Sequence, residues 1–404
     1  MNRRRFLQQA TTGAASVALI GLTLNSRAAA EEKSRPAGKI ITRTLGRTGI
    51  QVPIVSMGVM NADNPELLKE SYKRGVRHFD TAWYYQRGNN ERMVGQALRE
   101  AGGKREDYTV ATKIFLGDGP GRSAKGAAAK ALFLKRAAES LSRLQMEYVD
   151  ILYYHSLDTR EQVLDPGIIE ALTELKAEKK VRFTGLSMHC HWPGLLTLAA
   201  DQGFYDVALL SYNYSMQGNP AFLDAMQHAC AKGMGLVAMK TQCQQEWYRE
   251  GLPADLQKFY EGQIMHTALL KWVLRHEQFA TAIPGYTTFQ QMEEDFPVAR
   301  SLDYTPDEKK FLEDRHVQLA LLGACQICGG CTGSCPKGVD LPNLMRTHMY
   351  ARSYGNAIQA GETFRAIAPG RSLAACADCS PCTARCVRRV DIAGRLAELK
   401  MIYA

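Results

Sequence analysis

Four polar side chains in the first half of the chain have the types that acid–base chemistry on a carbonyl compound requires. Asp80 ends a short apolar stretch that starts at Arg77, and Tyr85 follows it five residues later. Lys113 and His155 end two further apolar stretches. A carboxylate, a cation and a phenol belong together when a reacting carbonyl lies between them. We therefore take these four residues as candidate catalytic residues.

Parallel strands would bring these residues together. Short apolar strands are predicted at residues 55–58, 77–80, 109–113, 149–155, 182–187, 207–212, 235–239 and 280–284, and amphipathic helices at 65–74, 90–101, 127–144, 167–178, 220–232 and 265–276. Eight strand–helix units over about 250 residues favour an α/β fold of the closed (β/α)8 TIM barrel type, in which catalytic residues lie at the C-terminal ends of strands. A hairpin of residues 41–45 and 50–54 would plug the other end.

An open, doubly wound sheet is the alternative α/β architecture. It would place a glycine-rich phosphate loop after its first strand, and residues 55–60 are not such a loop. A loose match to the dinucleotide-binding pattern occurs at residues 119–124. However, the long predicted helix 127–144 follows it, with no strand and acidic residue at the required distance. The sequence therefore favours the barrel.

Eight of the eleven cysteines form two runs near the C-terminus. The first run is Cys325, Cys328, Cys331 and Cys335, and the second is Cys376, Cys379, Cys382 and Cys386. Successive two-residue spacings do not suit one tetrahedral zinc ion, but they are typical of [4Fe–4S] clusters. By the crossed ligation of two-cluster ferredoxins, Cys386 completes the first cluster and Cys335 the second. The helical pattern between the runs predicts a small, mainly helical iron–sulfur domain.

The first thirty residues have the character of a targeting segment. Asn2 to Gln8 contains three consecutive arginines and resembles a twin-arginine export motif. A weakly apolar stretch follows, and Ala28 to Ala30 offers a cleavage site. A basic tail with an uncleaved lipid anchor is the alternative. Eight cysteines in an exported protein would ordinarily suggest four disulfides. Export of an already folded protein is consistent with reduced cysteines instead, because the clusters would be inserted in the reducing cytoplasm.

The composition is that of a soluble globular protein, with 46% hydrophobic and 23% charged residues. No apolar run reaches the length of about eighteen residues that a membrane span needs. The net charge of +9 includes four arginines among the first thirty residues, which leaves +5 on the remainder. That charge is too small and too dispersed to predict nucleic-acid binding.

The predicted barrel resembles the aldo-keto reductases over roughly residues 41–300. The likeness rests on the motif at residues 75–85, on Lys113 with the Ala-Thr before it, and on the strand that ends in His155. It implies that Tyr85 is the general acid for carbonyl reduction, that Lys113 lowers its pKa, that Asp80 holds Lys113 and that His155 orients the carbonyl oxygen. An ammonium ~4 Å from a phenol is worth up to ~4 kcal/mol, or about three pKa units, before Asp80 cancels part of the effect.

The same resemblance implies a nicotinamide cofactor, NAD(H) or NADP(H). Ser187 matches the serine that contacts the nicotinamide amide, whereas other positions depart from the family pattern. Gly285 and Gln291 stand where many relatives have cations for the 2′-phosphate, so a preference for NADP has little support. Met188 replaces an asparagine, Leu209 a glutamine and Met239 a stacking aromatic residue. The candidate cofactor contacts are Ser187, Met188, Leu209, Met239, Lys240, Gly285 and Gln291.

Together these predictions divide the chain into a signal (1–30), a linker (31–40), the barrel (41–300), a connecting helix (301–323) and a dicluster [4Fe–4S] domain (324–404). The expected function is an oxidoreductase of the periplasm or cell envelope that the twin-arginine machinery exports folded. It would interconvert a small carbonyl compound and an alcohol, and exchange electrons with an external redox partner through two clusters. The alternatives are an electron-transfer iron–sulfur protein with a non-catalytic barrel, and a cytoplasmic reductase arrested before export.

Overall fold

The computed structural model describes residues 38–116, 125–242, 265–315, 317–318, 325–376, 379 and 381–403. Chain contacts divide the protein into the units Met1–Ala37 and Gly38–Ala404. The predicted export signal, most of the predicted linker and Cys243 lie outside the described residues. In the part that is described, no helix is both long enough and apolar enough to cross a membrane.

A two-stranded antiparallel hairpin precedes the barrel, as predicted. It consists of β1 (Thr42–Thr44) and β2 (Gln51–Pro53). Its Leu45 and Val52 side chains are fully buried and pack inside the barrel with Leu209. Because Leu45 also lies against Gly235, the first residue of a barrel strand, the hairpin plugs the N-terminal end of the barrel.

Eight parallel strands form the predicted barrel, and each one pairs with the next in chain order. They are β3 (Met57–Gly58), β4 (His78–Asp80), β5 (Thr109–Ile114), β6 (Val149–Leu157), β7 (Val181–Met188), β8 (Val207–Ser211), β9 (Gly235–Met239) and β10 (Phe279–Ala282). A parallel bridge between Val55 and Ala282 joins the last strand to the segment before the first. The Ser56 N–H also donates to the Ala282 carbonyl over 2.9 Å.

Helices surround the barrel, and capping residues in the sequence specify where several of them begin. Asn64, Asp165 and Asn219 each precede a proline, and each side chain accepts a hydrogen bond from the first helical turn. The apolar faces pack on the outside of the strands. The helices are Pro65–Lys73, Asn89–Glu100, Ala127–Leu144, Arg160–Val163, Pro166–Ala177, Trp192–Gln202, Pro220–Ala231, His266–Leu274 and Phe289–Asp295.

The connecting helix is interrupted at Asp314, because Arg315, Val317 and Gln318 beyond it are again helical, and the rest of its predicted range lies outside the described residues. Thr305 and Glu308 form the predicted capping box, but the helix Pro306–Glu313 ends at Asp314, whose backbone is extended. The Lys271 ammonium donates to the Glu308 carboxylate over 2.7 Å. This buried ion pair fixes the connecting helix to a barrel helix.

The cysteine-rich segment is mainly helical and packs on the barrel. Its helices are Leu341–His348, Ala357–Arg365 and Ile392–Tyr403, and a π-helical turn, Met349–Ser353, continues the first of them. These helices enclose a small apolar core of their own. A further apolar cluster joins Tyr350 of this segment to Cys190, which follows β7. The segment therefore lies at the C-terminal end of the barrel.

Candidate active site

Asp80, Lys113 and Tyr85 lie together at the C-terminal ends of neighbouring strands. The Lys113 ammonium donates to the Asp80 carboxylate, to the Thr81 carbonyl (2.7 Å) and to the Tyr85 hydroxyl oxygen (3.4 Å). Asp80 and Lys113 are 2% and 1% exposed. Because the phenol oxygen accepts a bond from Lys113, the phenol proton remains available to another acceptor.

Burial is the largest influence on the pKa of the Tyr85 phenol. It raises the pKa of Tyr85 well above its usual value, and Tyr84 and Asp80 add to the rise. This direction is opposite to the lowering that we expected from Lys113. The physical reason is that Asp80 neutralises most of the Lys113 charge, while burial disfavours a phenolate. The phenol therefore stays protonated at neutral pH, the form that a proton donor needs.

His155 lies beside the phenol. The two ring centroids are 6.1 Å apart, and His155 is 3% exposed. Burial, followed by the charges of Lys113 and Arg346, holds the pKa of His155 well below its usual range. Its Nδ1 has no hydrogen-bond partner. A neutral imidazole in this position can donate a hydrogen bond to a substrate oxygen.

Two buried polar residues at the start of one helix support the site, and sequence analysis did not find them. Asn90 accepts a bond from the Thr81 hydroxyl (2.7 Å) and donates to a loop carbonyl at Val59 (2.8 Å). Glu91 accepts a bond from the hydroxyl of Thr112, the residue before Lys113, over 2.6 Å. The signal that could have identified them is two polar residues in the first turn of an amphipathic helix.

Strained backbone is concentrated at the same end of the barrel. Gln86, Ser156, His191 and Lys240 have φ between 50° and 62°, a left-handed conformation that side chains disfavour. Each lies at or soon after the C-terminal end of a barrel strand. Such outliers persist where surrounding contacts hold them, and they are common at functional sites.

The cysteine-rich segment contributes two side chains to this end of the barrel, and nothing in the sequence pattern predicted them. Arg346 is 5% exposed and donates to the Ser156 hydroxyl over 2.5 Å. The Lys240 ammonium lies 3.1 Å from the Tyr350 hydroxyl. Although burial alone would raise it, Lys240 and Arg346 lower the pKa of Tyr350. The mouth of the barrel is therefore built from both parts of the chain.

Further polar contacts hold the segment in place. Gln359 donates to the Tyr84 hydroxyl over 3.0 Å, and Asn356 donates to the Asn61 side chain over 2.7 Å. On the opposite side, Thr332 lies 3.3 Å from His191. Gly329 lies against the same histidine, because a Cβ at this position would be 1.9 Å from the His191 ring.

An inner cavity and an outer groove lie next to each other at this end of the barrel. The cavity, of about 80 Å³, is lined by Asp80, Tyr85 and, among the candidate cofactor contacts, Met239, Lys240 and Gly285. It shares Gly285 with the groove, of about 1010 Å³, which reaches Gln291. Four of the seven candidate cofactor contacts therefore line one or other of these two spaces.

Three candidate cofactor contacts do not line these spaces. The Ser187 hydroxyl accepts a bond from the Ser156 N–H over 2.9 Å. Leu209 packs inside the barrel, whereas Met188 packs outside the strands in the main core. Strand alternation explains the position of Met188, because its side chain points away from that of Ser187.

The eight cysteines of the two runs fall into two groups. Cys325, Cys328, Cys331 and Cys386 line one small cavity. Burial raises the pKa of Cys331 to about 11, and Cys386 and Cys328 add to the rise. Two backbone N–H groups, those of Gly330 and Arg388, point at the sulfurs of Cys328 (3.4 Å) and Cys386 (3.3 Å).

The second group forms around Cys376. Burial raises the pKa of Cys376, Lys400 opposes the rise, and Cys335, Cys379 and Cys382 add to it. Each group thus takes three thiols from one run and the fourth from the other. Among the described residues, no three His, Cys, Asp or Glu side chains are arranged to hold a single metal ion.

Comparisons with known proteins agree with the barrel. The Aldo/keto reductase family profile matches residues 52–246. The L-galactose dehydrogenase of Arabidopsis thaliana is 29% identical over 66% of this chain and 90% of its own length. The L-glyceraldehyde 3-phosphate reductase of Escherichia coli K12 is 24% identical over 69% and 93%.

The fold also agrees with a solved structure. The holo form of an aldo-keto reductase from Bacillus halodurans superposes with a TM-score of 0.55 at 22% identity, over 69% of this chain and all of that one. At this identity the likeness concerns the fold alone. The sequence matches show that the chain contains an aldo-keto reductase domain and is, by that domain, an NAD(P)-dependent oxidoreductase.

Proposed function

We propose that the protein is an exported oxidoreductase that interconverts a small carbonyl compound and an alcohol, with Tyr85 as general acid and base. The observation that carries this proposal is the contact of the Lys113 ammonium with both the Asp80 carboxylate and the Tyr85 hydroxyl. A lysine that is 1% exposed needs a strong reason to be there, and stabilising charge on a phenol oxygen is such a reason.

The proton moves through Tyr85. A bound nicotinamide nucleotide supplies the hydride that reduces the carbonyl carbon. The carbonyl oxygen takes the Tyr85 proton, while the neutral His155 imidazole donates a hydrogen bond that orients this oxygen. The phenolate that results is stabilised by Lys113, whose ammonium already lies 3.4 Å away. Oxidation of an alcohol uses the same residues in reverse.

The nucleotide would lie along the inner cavity and the neighbouring outer groove. Met239, Lys240 and Gly285 border its inner part, and Gln291 its outer part.

The charges of the groove do not select between NAD and NADP. Arg87 lines the groove together with Glu294 and Asp295. Burial raises the pKa of Asp295 to about 7, so this carboxyl is only partly ionised at neutral pH.

The two groups of four cysteines support the proposal that the protein binds two [4Fe–4S] clusters. Each group contains the four cysteines that the crossed ligation of two-cluster ferredoxins requires. Backbone N–H groups directed at cysteine sulfurs are also typical of cluster sites. Each cluster would carry one electron, so the pair matches the two electrons of the carbonyl–alcohol conversion. An external redox partner would receive or supply them.

An electron-transfer protein with a non-catalytic barrel is the second candidate. Its support is the covering of the barrel mouth by the helix that carries Arg346 and Tyr350, which leaves a cavity of only about 80 Å³ beside Tyr85. In this alternative, the barrel serves only to bind a redox partner, and its covered mouth binds no nucleotide.

One experiment separates the two candidates. Protein purified anaerobically is denatured and its bound nucleotide identified by mass spectrometry, and reduction rates are then measured on small aldehydes and ketones. We expect a bound nicotinamide nucleotide and at least a hundredfold lower rate in Tyr85→Phe. Tyr84→Phe is the matched control, because the Tyr84 hydroxyl contacts Gln359 of the tail rather than Lys113. An unchanged rate in Tyr85→Phe would refute the role of that residue.

Location tests the export part of the proposal separately. Cell fractionation should place the mature protein in the periplasm or cell envelope, and Arg4→Lys combined with Arg5→Lys should retain it in the cytoplasm. Cytoplasmic protein with a normal signal would instead support arrest before export.

A further inference from the structure

The mouth of the barrel holds more positive than negative charge. Three cationic side chains, Lys113, Lys240 and Arg346, lie close enough to lower the pKa values of the same three groups. These groups are His155, His189 and Tyr350. Two carboxyl groups act in return, Asp80 on Tyr85 and Glu362 on Tyr84. Burying charge without a counter-charge is costly, so an excess of cations in a closed site calls for an anion.

Lys113 and Lys240 already have partners in the protein. Lys113 is paired with Asp80. The Lys240 ammonium lies 3.1 Å from the Tyr350 hydroxyl. Even if Tyr350 were ionised, these two pairs would leave the charge of Arg346 uncompensated.

Arg346 lacks a counter-charge. It is 5% exposed, its Nη1 donates to the neutral Ser156 hydroxyl, and its Nε has no hydrogen-bond partner among the residues that the structure describes. Within the described ranges, no carboxylate lies within ion-pair distance of it. The neighbouring His155 and His189 do not supply negative charge, since neutral and protonated imidazoles are the only forms available to them.

The position of Arg346 relates it to the reacting atoms. Ser156, its hydrogen-bond partner, directly follows His155, the residue that would orient the carbonyl oxygen. Arg346 and Tyr350 are four residues apart on one continuous helix, so they lie on the same face. The helix changes to π-helical geometry at Met349, and such turns are frequent at functional sites.

We propose that Arg346 binds the carboxylate of a small oxo acid or hydroxy acid, so that this chain acts on carbonyl compounds that carry an acid group next to the reacting carbon. The planar guanidinium fork matches a carboxylate in a bidentate manner. This inference rests on the proposed function and deepens it by naming the substrate class.

A purely structural role for Arg346 would be to attach the tail to the barrel through Ser156. The two roles differ in what the conservative variants do. Ser156→Ala removes the attachment but keeps the cation, whereas Arg346→Gln removes the cation. If Arg346 binds substrate, Ser156→Ala retains the preference for acids, and Arg346→Lys retains part of it.

The test is calorimetric binding to the full chain purified anaerobically, so that it does not depend on turnover. The probes are pyruvate, glyoxylate, lactate and glycolate, each compared with its uncharged methyl ester. We expect at least one acid to bind about tenfold or more tightly than its ester, because a hydrogen bond to a charged group is worth about that factor. Arg346→Gln should abolish the difference. Arg352→Gln on the same helix is the matched control, since Arg352 is half-exposed and bonded to Glu398.

Several outcomes would overturn the assignment. An equal affinity for every acid and its ester in the wild-type chain would do so, as would a preference that survives in Arg346→Gln. Inorganic phosphate that competes as strongly as the acids would show a general oxyanion site instead of a carboxylate site. Thermal unfolding of each variant distinguishes lost binding from lost folding, with Arg346→Lys as the second variant if Arg346→Gln does not fold.

This test can fail independently of the proposed function. Acids that bind through Arg346 without any turnover would leave the anion site standing and refute the carbonyl–alcohol reaction. Turnover of the acids at equal rates in wild type and Arg346→Gln would do the reverse.

Discussion

The barrel mouth and the cysteine-rich tail are assembled by different rules. In the barrel, Asp80, Lys113 and His155 lie on β4, β5 and β6, which are neighbours both in the sheet and along the chain. In the tail, each group of four cysteines takes its fourth member from the other run, roughly 40 to 60 residues away by the numbering. The order of consecutive strands therefore specifies the barrel site. The cysteine groups of the tail form only when the second cysteine run packs against the first.

Charge is handled differently as well. The barrel pairs its buried cation with its own carboxylate, Lys113 with Asp80. The tail places Arg346 in the same region, where it donates to the Ser156 hydroxyl and has no carboxylate partner among the described residues. The barrel thus supplies its own ion pair, whereas the tail adds a cation whose counter-charge, on our proposal, is a bound carboxylate. Three predictions test these differences.

Removal of the buried cation should have the largest effect. Lys113→Met leaves Asp80 buried without a partner, so we expect unfolding free energy to fall by about 3–5 kcal/mol and carbonyl reduction to fall at least a hundredfold. Chemical unfolding followed by circular dichroism measures the first effect. The double variant Lys113→Met with Asp80→Asn should recover stability but not activity.

An exposed lysine provides the control for this prediction. Lys69 bonds to Glu66 (2.6 Å) and Glu100 (3.0 Å) on the surface, and Lys69→Met should change stability far less. Equal losses in Lys69→Met and Lys113→Met would contradict the idea that burial makes the Lys113 pair important.

Iron content tests the crossed grouping of the thiols. Cys325→Ser should lose about half of the iron, or about four of about eight atoms, because one cluster loses a ligand. Adding Cys386→Ser should cause no further loss, whereas adding Cys376→Ser should remove the remainder. Iron analysis and anaerobic absorption spectra measure these changes, with Cys230→Ser as the control outside both groups. A further loss on adding Cys386→Ser would contradict the grouping.

Acid should weaken the connection between barrel and tail, with the smallest effect of the three. Burial would raise the pKa of Glu308, but bonds from Lys271 and Thr305 hold it below its usual value. A carboxyl whose folded pKa is depressed stabilises the protein above its unfolded pKa of about 4.3, and that stability is lost as the pH falls further through the folded pKa. Glu308→Gln should therefore flatten the dependence of unfolding on pH below about 4.3, and a slope unchanged from that of wild type would refute the linkage.

Much of the barrel could be predicted because its signals are local. The helix Ala127–Leu144 and the strand Gly235–Met239 have the predicted bounds, since periodicity and flanking turn residues define both ends. The interruption of the connecting helix at Asp314 was not predicted, because the apolar pattern continues through this residue while its backbone is extended. Met188 was assigned to the cofactor by its place in a motif, yet strand alternation directs it into the outer core.

The amino-acid sequence by itself predicted which polar side chains meet at the strand ends and which cysteines group together. Strand ends in a parallel barrel meet at one edge, and cysteine spacing limits the clusters that a run can hold. Tertiary structure alone decided that the tail covers the barrel mouth, that Arg346 and Tyr350 enter the site, and that burial raises the pKa of Tyr85. The physical reason is that docking and desolvation depend on contacts between segments 110 to 190 residues apart, which local patterns do not encode.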